Sequence, residues 1–260
     1  MPDSSPSAAV LFDARDDGIA IITLNRPETH NALTQEVRDG LFAAWDRFER
    51  DPALRVGILT GSGDKAFCAG GDLKEMVERG LTVPPRDMFP VPGDSITLSK
   101  PTIAAVNGVA FAGGWMIAQA CDLCVASTSA RFAVTEVKVG RSSPWAAPLI
   151  HMIPQRIMME ILLTGNPISA GRAYEIGLVN RLAAPAELLA CAIGLAQEIL
   201  AGAPLSVAAA RETVLLSTEM GRSAALMAAR RASDLCYNSE DAREGPRAFA
   251  EKRSPDWKGR

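Results

Sequence analysis

Thr102-Ile103-Ala104-Ala105-Val106-Asn107-Gly108-Val109-Ala110-Phe111-Ala112-Gly113-Gly114-Trp115-Met116-Ile117 is the stretch on which the reading of this chain turns. Its apolar opening, Thr102 to Val106, is short and bounded, as a buried strand is. Asn107-Gly108 is a turn dipeptide, and a glycine-led helix is expected from Gly113 to about Ala120. The N–H groups at a helix start have no partner inside the helix and sit at its positive end, so a bare backbone at Gly113 can hold an oxyanion. Twenty residues past Met116 comes Thr135-Glu136-Val137, which offers a single carboxylate near that helix in sequence. A carboxylate near a polarised carbonyl can move a proton beside it, which points to enolate chemistry on an acyl group.

A second strand–turn–helix unit is Lys65-Ala66-Phe67-Cys68-Ala69-Gly70-Gly71-Asp72-Leu73-Lys74-Glu75-Met76. Taken alone it is an ordinary turn with Asp72 capping a helix. Taken with Gly113, the N–H of Gly71 supplies the second donor that an enolate oxygen needs.

Outward from these units, Ile19–Leu24 and Val56–Thr60 read as strands, as do Asp122–Ala126 and Arg131–Val134. A helix capped by Thr34 is expected to run to about Arg50, with Val37, Leu41, Trp45 and Phe48 at helical spacing. Another follows Asp72 to Arg79. Residues 80–98 contain four prolines and read as an irregular loop. Beyond Pro148 the pattern is mostly helical, near 155–163, 169–176, 186–201, 204–217 and 222–236. Strands alternating with helices and then a run of helices imply an α/β core over residues 1–200, with a C-terminal helical region over 201–260.

Composition narrows the function classes. A net charge of -3 provides no basic field for nucleic acid. No apolar run approaches the roughly 18 residues of a membrane helix. Met1 to Ser7 has neither a cationic nor an apolar region, so it reads as a loose tail rather than a secretory signal, and the expected location is cytoplasmic. The five cysteines, Cys68, Cys121, Cys124, Cys191 and Cys236, are odd in number and scattered, which fits free thiols. Cys121-Asp122-Leu123-Cys124 lacks a second pair, and His30 and His151 lack ligand companions, so no metal site is expected. Gly140-Arg141-Ser142-Ser143-Pro144 lacks the last glycine of a nucleophile elbow. Trp115, Met116, Met152, Met158 and Met159 read as acyl-pocket candidates or as plain core.

The chain resembles the crotonase, or enoyl-CoA hydratase/isomerase, superfamily. The matching pieces are Asn25-Arg26-Pro27 with His30-Asn31-Ala32-Leu33, Lys65 to Met76, Lys100 to Gly114, and Glu136. Leu163-Thr164-Gly165 with Ala173 to Val179 also match, as does the ending from Ser239-Glu240-Asp241 through Glu244-Gly245 to Phe249–Arg253. The resemblance implies a spiral of ββα turns, a helical trimerisation region, and a homotrimer or dimer of trimers. It implies an acyl-CoA substrate that brings coenzyme A as part of itself, with no tightly bound cofactor. Gly71 and Gly113 would donate to the thioester oxygen and Glu136 would be the acid–base group. Ala32, Ala69, Asp72, Leu73, Met116 and Arg141 would line the substrate, and Lys252 would reach the nucleotide from a neighbouring subunit's tail.

Two departures shape the expected reaction. Two-carboxylate hydratases of the family carry a second Glu where this chain has Met116, and are glycine-rich where it has Arg141-Ser142-Ser143-Pro144-Trp145-Ala146-Ala147-Pro148. Methionine cannot transfer a proton. The residues therefore favour isomerisation by one carboxylate over paired-carboxylate hydration. The alternatives are another crotonase-type reaction (hydration-lyase, decarboxylation or C–C hydrolysis) and a catalytically silent scaffold.

Overall fold

The computed structural model describes residues 9–78, 80 and 83–260, with the side chains of Leu73 and Lys74 left aside. The expected loose tail Met1–Ser7 and the expected helix end at Arg79 lie outside the described residues.

The chain runs β1 (Val10–Ala14), β2 (Ile19–Leu24), α1 (Gln35–Arg50), β3 (Val56–Gly61), β4 (Ala66–Cys68) and α2 (Leu73–Glu78). It continues through β5 (Thr102–Val106), β6 (Val109–Phe111), α3 (Gly113–Gln119), β7 (Leu123–Ser127) and β8 (Arg131–Ala133). Then come α4 (Gln155–Thr164), β9 (Ile168–Ser169), α5 (Ala170–Glu175) and β10 (Arg181–Ala183), and finally α6 (Leu188–Leu200), α7 (Pro204–Glu219), α8 (Arg222–Tyr237) and α9 (Asp241–Ala250). Short 3-10 turns at Glu136–Val139 and Pro144–His151 lie between β8 and α4.

The strands form two sheets, β1-β2-β3-β5-β7-β10 and β4-β6-β8-β9. A long strand of the first sheet is followed by a short strand of the second and then by a helix or helical turn. This repeats as β3-β4-α2, β5-β6-α3 and β7-β8 with the Glu136–Val139 turn, which is the expected spiral of ββα units. From β2 to β10 the large sheet is parallel, and both of its faces are covered. Ile21, Ile58, Ile103 and Leu123 stand in register on the face covered by Leu188, Ala192, Leu195 and Ala196 of α6. Their neighbours Ile22, Leu59, Ala104 and Cys124 face the main core. Adjacent strand residues point to opposite faces, so a strand buried on both must be apolar throughout.

Thr34 caps α1 as expected, its hydroxyl accepting from the Val37 N–H. The strand read at the start of Lys65–Met76 is β4, whereas the sequence reading missed β1, β6, β9, β10 and α9. Most of these strands are two or three residues long and show no usable periodicity. Helix α9 contains Gly245 and Pro246, and it turns Asp241 and Glu244 inward while Phe249 is exposed, so its apolar side is not the buried one.

Helices α7 to α9 follow the sheet-covering α6, and several bonds cross between the two regions. Arg211 Nε donates to Asp122 Oδ1 at 2.8 Å, and its Nη1 to the Leu98 carbonyl at 2.9 Å. Helix α7 buries no residue, and α8 buries only Ala225. Val214, Leu226, Met227 and Leu235 are more than half exposed on them. Among the described residues no single helix is long and apolar enough to cross a membrane. The bent pair Pro185–Leu200 and Pro204–Glu219 passes on composition, but the first of these packs on the sheet.

Candidate functional site

Gly71 and Gly113 come from different ββα units and meet. A Cβ built on Gly113 would stand 3.5 Å from the Gly71 nitrogen and 3.0 Å from Leu33 Cδ1. Three local features hold the pair together. Gly70 has φ +105°, and a Cβ there would press on Phe111 O and Ala112 Cβ, each at 3.0 Å, so only glycine lets the two turns approach this closely. Ala112, just before α3, has φ +49° and ψ −120°, a strained conformation for a residue with a Cβ. Its N–H donates to the Ala133 carbonyl at 2.8 Å, which locks the start of α3 onto the end of β8. Among the described residues no acceptor takes the N–H of Gly71 or of Gly113. Two adjacent free donors from separate segments can share one carbonyl oxygen.

The His30–Leu33 loop closes the other side. Leu33 N–H donates to Gly70 O at 2.8 Å, and Ala69 N–H to His30 O at 3.0 Å. His30 and Asn31 are both left-handed, with φ of 54° and 55°. Asn31 is fully buried, and its side chain donates to Ser62 O and Ala66 O and accepts from Arg26 N. Ala32 and Ala69 are therefore brought to the glycine pair. Asp72 follows Gly71 and does what a cap does, accepting from the Glu75 N–H at 3.2 Å. It also lines a cavity of about 550 Å³ with Arg26, Thr34, Gln35, Glu36 and Glu75. Leu73 begins α2, its side chain lying outside what is described. Met76 and Phe89 flank Gly71, since a Cβ there would lie 2.6 Å from Met76 Cε and 3.9 Å from Phe89 Cζ.

Met116 is 6% exposed and belongs to the main core on α3. Trp115 is buried edge-on to Phe132 and Met158 packs against the same core, while Met152 and Met159 are exposed.

Glu136 begins the turn three residues after Ala133, the residue bonded to Ala112. It is half-buried. Oε1 accepts from Trp145 Nε1 at 2.8 Å, and Oε2 is buried with no partner among the described residues. Burial pushes its carboxyl above the ordinary range, opposed by its own backbone N–H and by the Trp145 indole. Arg141 donates its backbone N–H to Glu136 O at 3.0 Å. Lys252 is exposed just past α9 in a left-handed conformation, and among the described residues it makes no ion pair.

Sequence reasoning missed Trp145, which was read only as part of a departing loop, and Gln119, whose amide donates to Trp145 O at 2.7 Å. The signal present was an aromatic with a polar tip nine residues after a lone glutamate. Ser142 lies between two 3-10 turns, not between a strand and a helix, so the elbow reading fails on geometry. The Cys68 and Cys124 thiols are pushed up to about 12 by burial, which makes them packing groups.

The comparisons agree with this architecture. Residues 14–260 match the family model described as enoyl-CoA hydratase/isomerase. The (E)-benzylidenesuccinyl-CoA hydratase of Thauera aromatica is 40% identical over 93% of this chain and 96% of that protein. The carnitinyl-CoA dehydratase of Salmonella typhi is 40% identical over 96% and 98% respectively. The crystal structure of an enoyl-CoA hydratase from Mycobacterium tuberculosis H37Rv matches with a TM-score of 0.90 at 40% identity, over 98% of this chain and 100% of that one. The paired glycine turns, the ββα spiral and the matched relatives lead to one conclusion: this chain belongs to the enoyl-CoA hydratase/isomerase, or crotonase, family of lyases and isomerases.

Proposed function

We propose that the chain binds an acyl-CoA thioester with its carbonyl oxygen between the N–H groups of Gly71 and Gly113, and moves a proton on the acyl chain with Glu136 alone. The observation that carries this reading is the meeting of two donors that have no acceptor among the described residues, on a scaffold locked by Ala112 N–H to the segment bearing Glu136. As an α proton leaves for Oε2 of Glu136, negative charge develops on the thioester oxygen, where two positioned donors stabilise it. Return of that proton to the γ carbon moves a double bond into conjugation, so one carboxylate completes an isomerisation. The apolar, buried Met116 favours this over hydration by two carboxylates.

Hydration is the second reading, favoured by the hydratase and dehydratase names of the relatives. The water would then be oriented by Arg141, Ser142 or Ser143 in place of a second carboxylate. Parallel assays of 3-enoyl-CoA isomerisation and crotonyl-CoA hydration decide between them, and faster hydration defeats the isomerase reading. Glu136→Gln tests both. It is expected to bind acetoacetyl-CoA as the wild type does while losing roughly 10²-fold or more in turnover, the scale of an acid–base group. Near-normal turnover would remove Glu136 from the chemistry.

A further inference from the structure

We propose that Trp145 is the positioning residue of the acid–base group: its indole N–H holds Oε1 of Glu136 and leaves Oε2 as the one oxygen that exchanges a proton with substrate. This rests on the reading of Glu136 given above. The indole bond is 2.8 Å long, and Oε2 is buried and otherwise unpartnered. The same loop holds the main chain of Glu136, because Arg141 N–H donates to Glu136 O across the left-handed Gly140. Gln119 Nε2 donates to Trp145 O at 2.7 Å. Gln119 is the last residue of α3, whose first residue is Gly113. One short helix thus carries an oxyanion donor at one end and holds the loop that aims the carboxylate at the other. With Met116 in place of a second carboxylate, no acidic partner on α3 shares this task. The segment that departs from the glycine-rich pattern of two-carboxylate hydratases is then the segment that supplies the substitute.

A carboxylate with one oxygen held has one orientation instead of many, which is the value of a supporting hydrogen bond. The bond also favours the ionised form, so losing it raises the pKa of a base that works deprotonated. The titratable groups on the elements packed against this turn are Lys138, Arg141, His151, Arg156 and Glu160. Lys138 donates to Asn166 Oδ1 at 2.9 Å, and α3 carries no titratable group.

The test is Trp145→Phe, assayed on the faster of the two enoyl-CoA substrates. It is expected to lower kcat about tenfold with little change in KM, and to move the acid limb of the rate profile up by about one pH unit. Trp145→His, which keeps a ring N–H, is expected to recover part of both effects. A merely structural indole would not move the limb, so an unmoved limb with normal kcat overturns the proposal. A measurement that needs no turnover stands beside it. The Trp145 indole N–H resonance, assigned by its loss in Trp145→Phe, should titrate in the wild type and stay flat in Glu136→Gln. A flat wild-type resonance across the acid limb overturns the proposal even if Glu136→Gln is dead, whereas an active Glu136→Gln overturns the parent reading instead.

Discussion

Arg38 and Glu75 form a two-pronged ion pair, Nη2 to Oε1 at 2.7 Å and Nη1 to Oε2 at 3.1 Å, that ties α1 to α2 beside the Gly71 turn. Arg38 is 2% exposed, and its Nη1 also donates to Leu33 O at 2.6 Å. Leu33 in turn donates to Gly70 O, so the buried guanidinium braces the backbone on which the Gly71 N–H depends. Its Cζ stands 5.7 Å from the centre of the Phe89 ring. Losing the charge-assisted bonds of this buried guanidinium costs about 1.5–3 kcal/mol. Arg38→Met is therefore expected to lower stability by about that amount in urea titration, and to weaken acetoacetyl-CoA binding. Unchanged stability would mean that Glu75 turns to solvent without loss.

Gly113 and Gly114 are adjacent, yet their substitutions should part company. A Cβ on Gly114 would overlap the Cys68 carbonyl, which is backbone and cannot move aside, so Gly114→Ala is expected to destabilise severely or prevent folding. A Cβ on Gly113 meets the flexible end of Leu33 at 3.0 Å and lies 3.5 Å from Gly71 N. Gly113→Ala is expected to fold with a modest drop in Tm and to bind acetoacetyl-CoA at least tenfold more weakly, because the added methyl crowds the space between the donors. Thermal melts and thioester titration of the two variants check the contrast.

The carboxyl of Glu136 is raised by burial, and this has a consequence for stability. A folded-state pKa above the unfolded value means that the native state holds its proton longer, so stability falls as pH rises from the ordinary carboxylate range through the raised value. Glu136→Gln removes the charge and the penalty together. It is expected to melt higher than the wild type at pH 8 and to match it near pH 4, where both are neutral at this position. Equal melting temperatures at both pH values would show that Glu136 is not penalised by its burial.

The uncovered apolar side chains of α7 and α8 are proposed to be buried by copies of the same chain, in a trimer or a dimer of trimers. Leu226, Met227 and Leu235 are 53%, 59% and 74% exposed in the single chain, more apolar surface than isolated exposed residues explain. Sedimentation at micromolar concentration is expected to give three or six times the chain mass of 27.6 kDa, and Leu226→Glu to reduce it. A monomeric mass would defeat this assignment and the suggested role of Lys252 with it.

Local pattern carried much of this protein on its own. The apolar runs Ile19–Leu24, Val56–Thr60 and Thr102–Val106 read as strands because they are short, bounded and rich in β-branched residues. Thr34 followed by Val37, Leu41, Trp45 and Phe48 must start and face a helix. Glycine at 71 and 113 announced bare backbone donors at helix starts, and the order of these pieces sufficed for the family. Tertiary structure alone decided what those glycines approach, since Gly71 and Gly113 are 42 residues apart in sequence and meet only when two ββα units stack. It alone decided that Trp145 reaches Glu136, that Gln119 holds Trp145 and that Arg38 is buried on Glu75. Such pairings depend on the distance and direction between side chains on different elements. A period of two or of 3.6 residues records which face a residue is on, and says nothing of what stands opposite it.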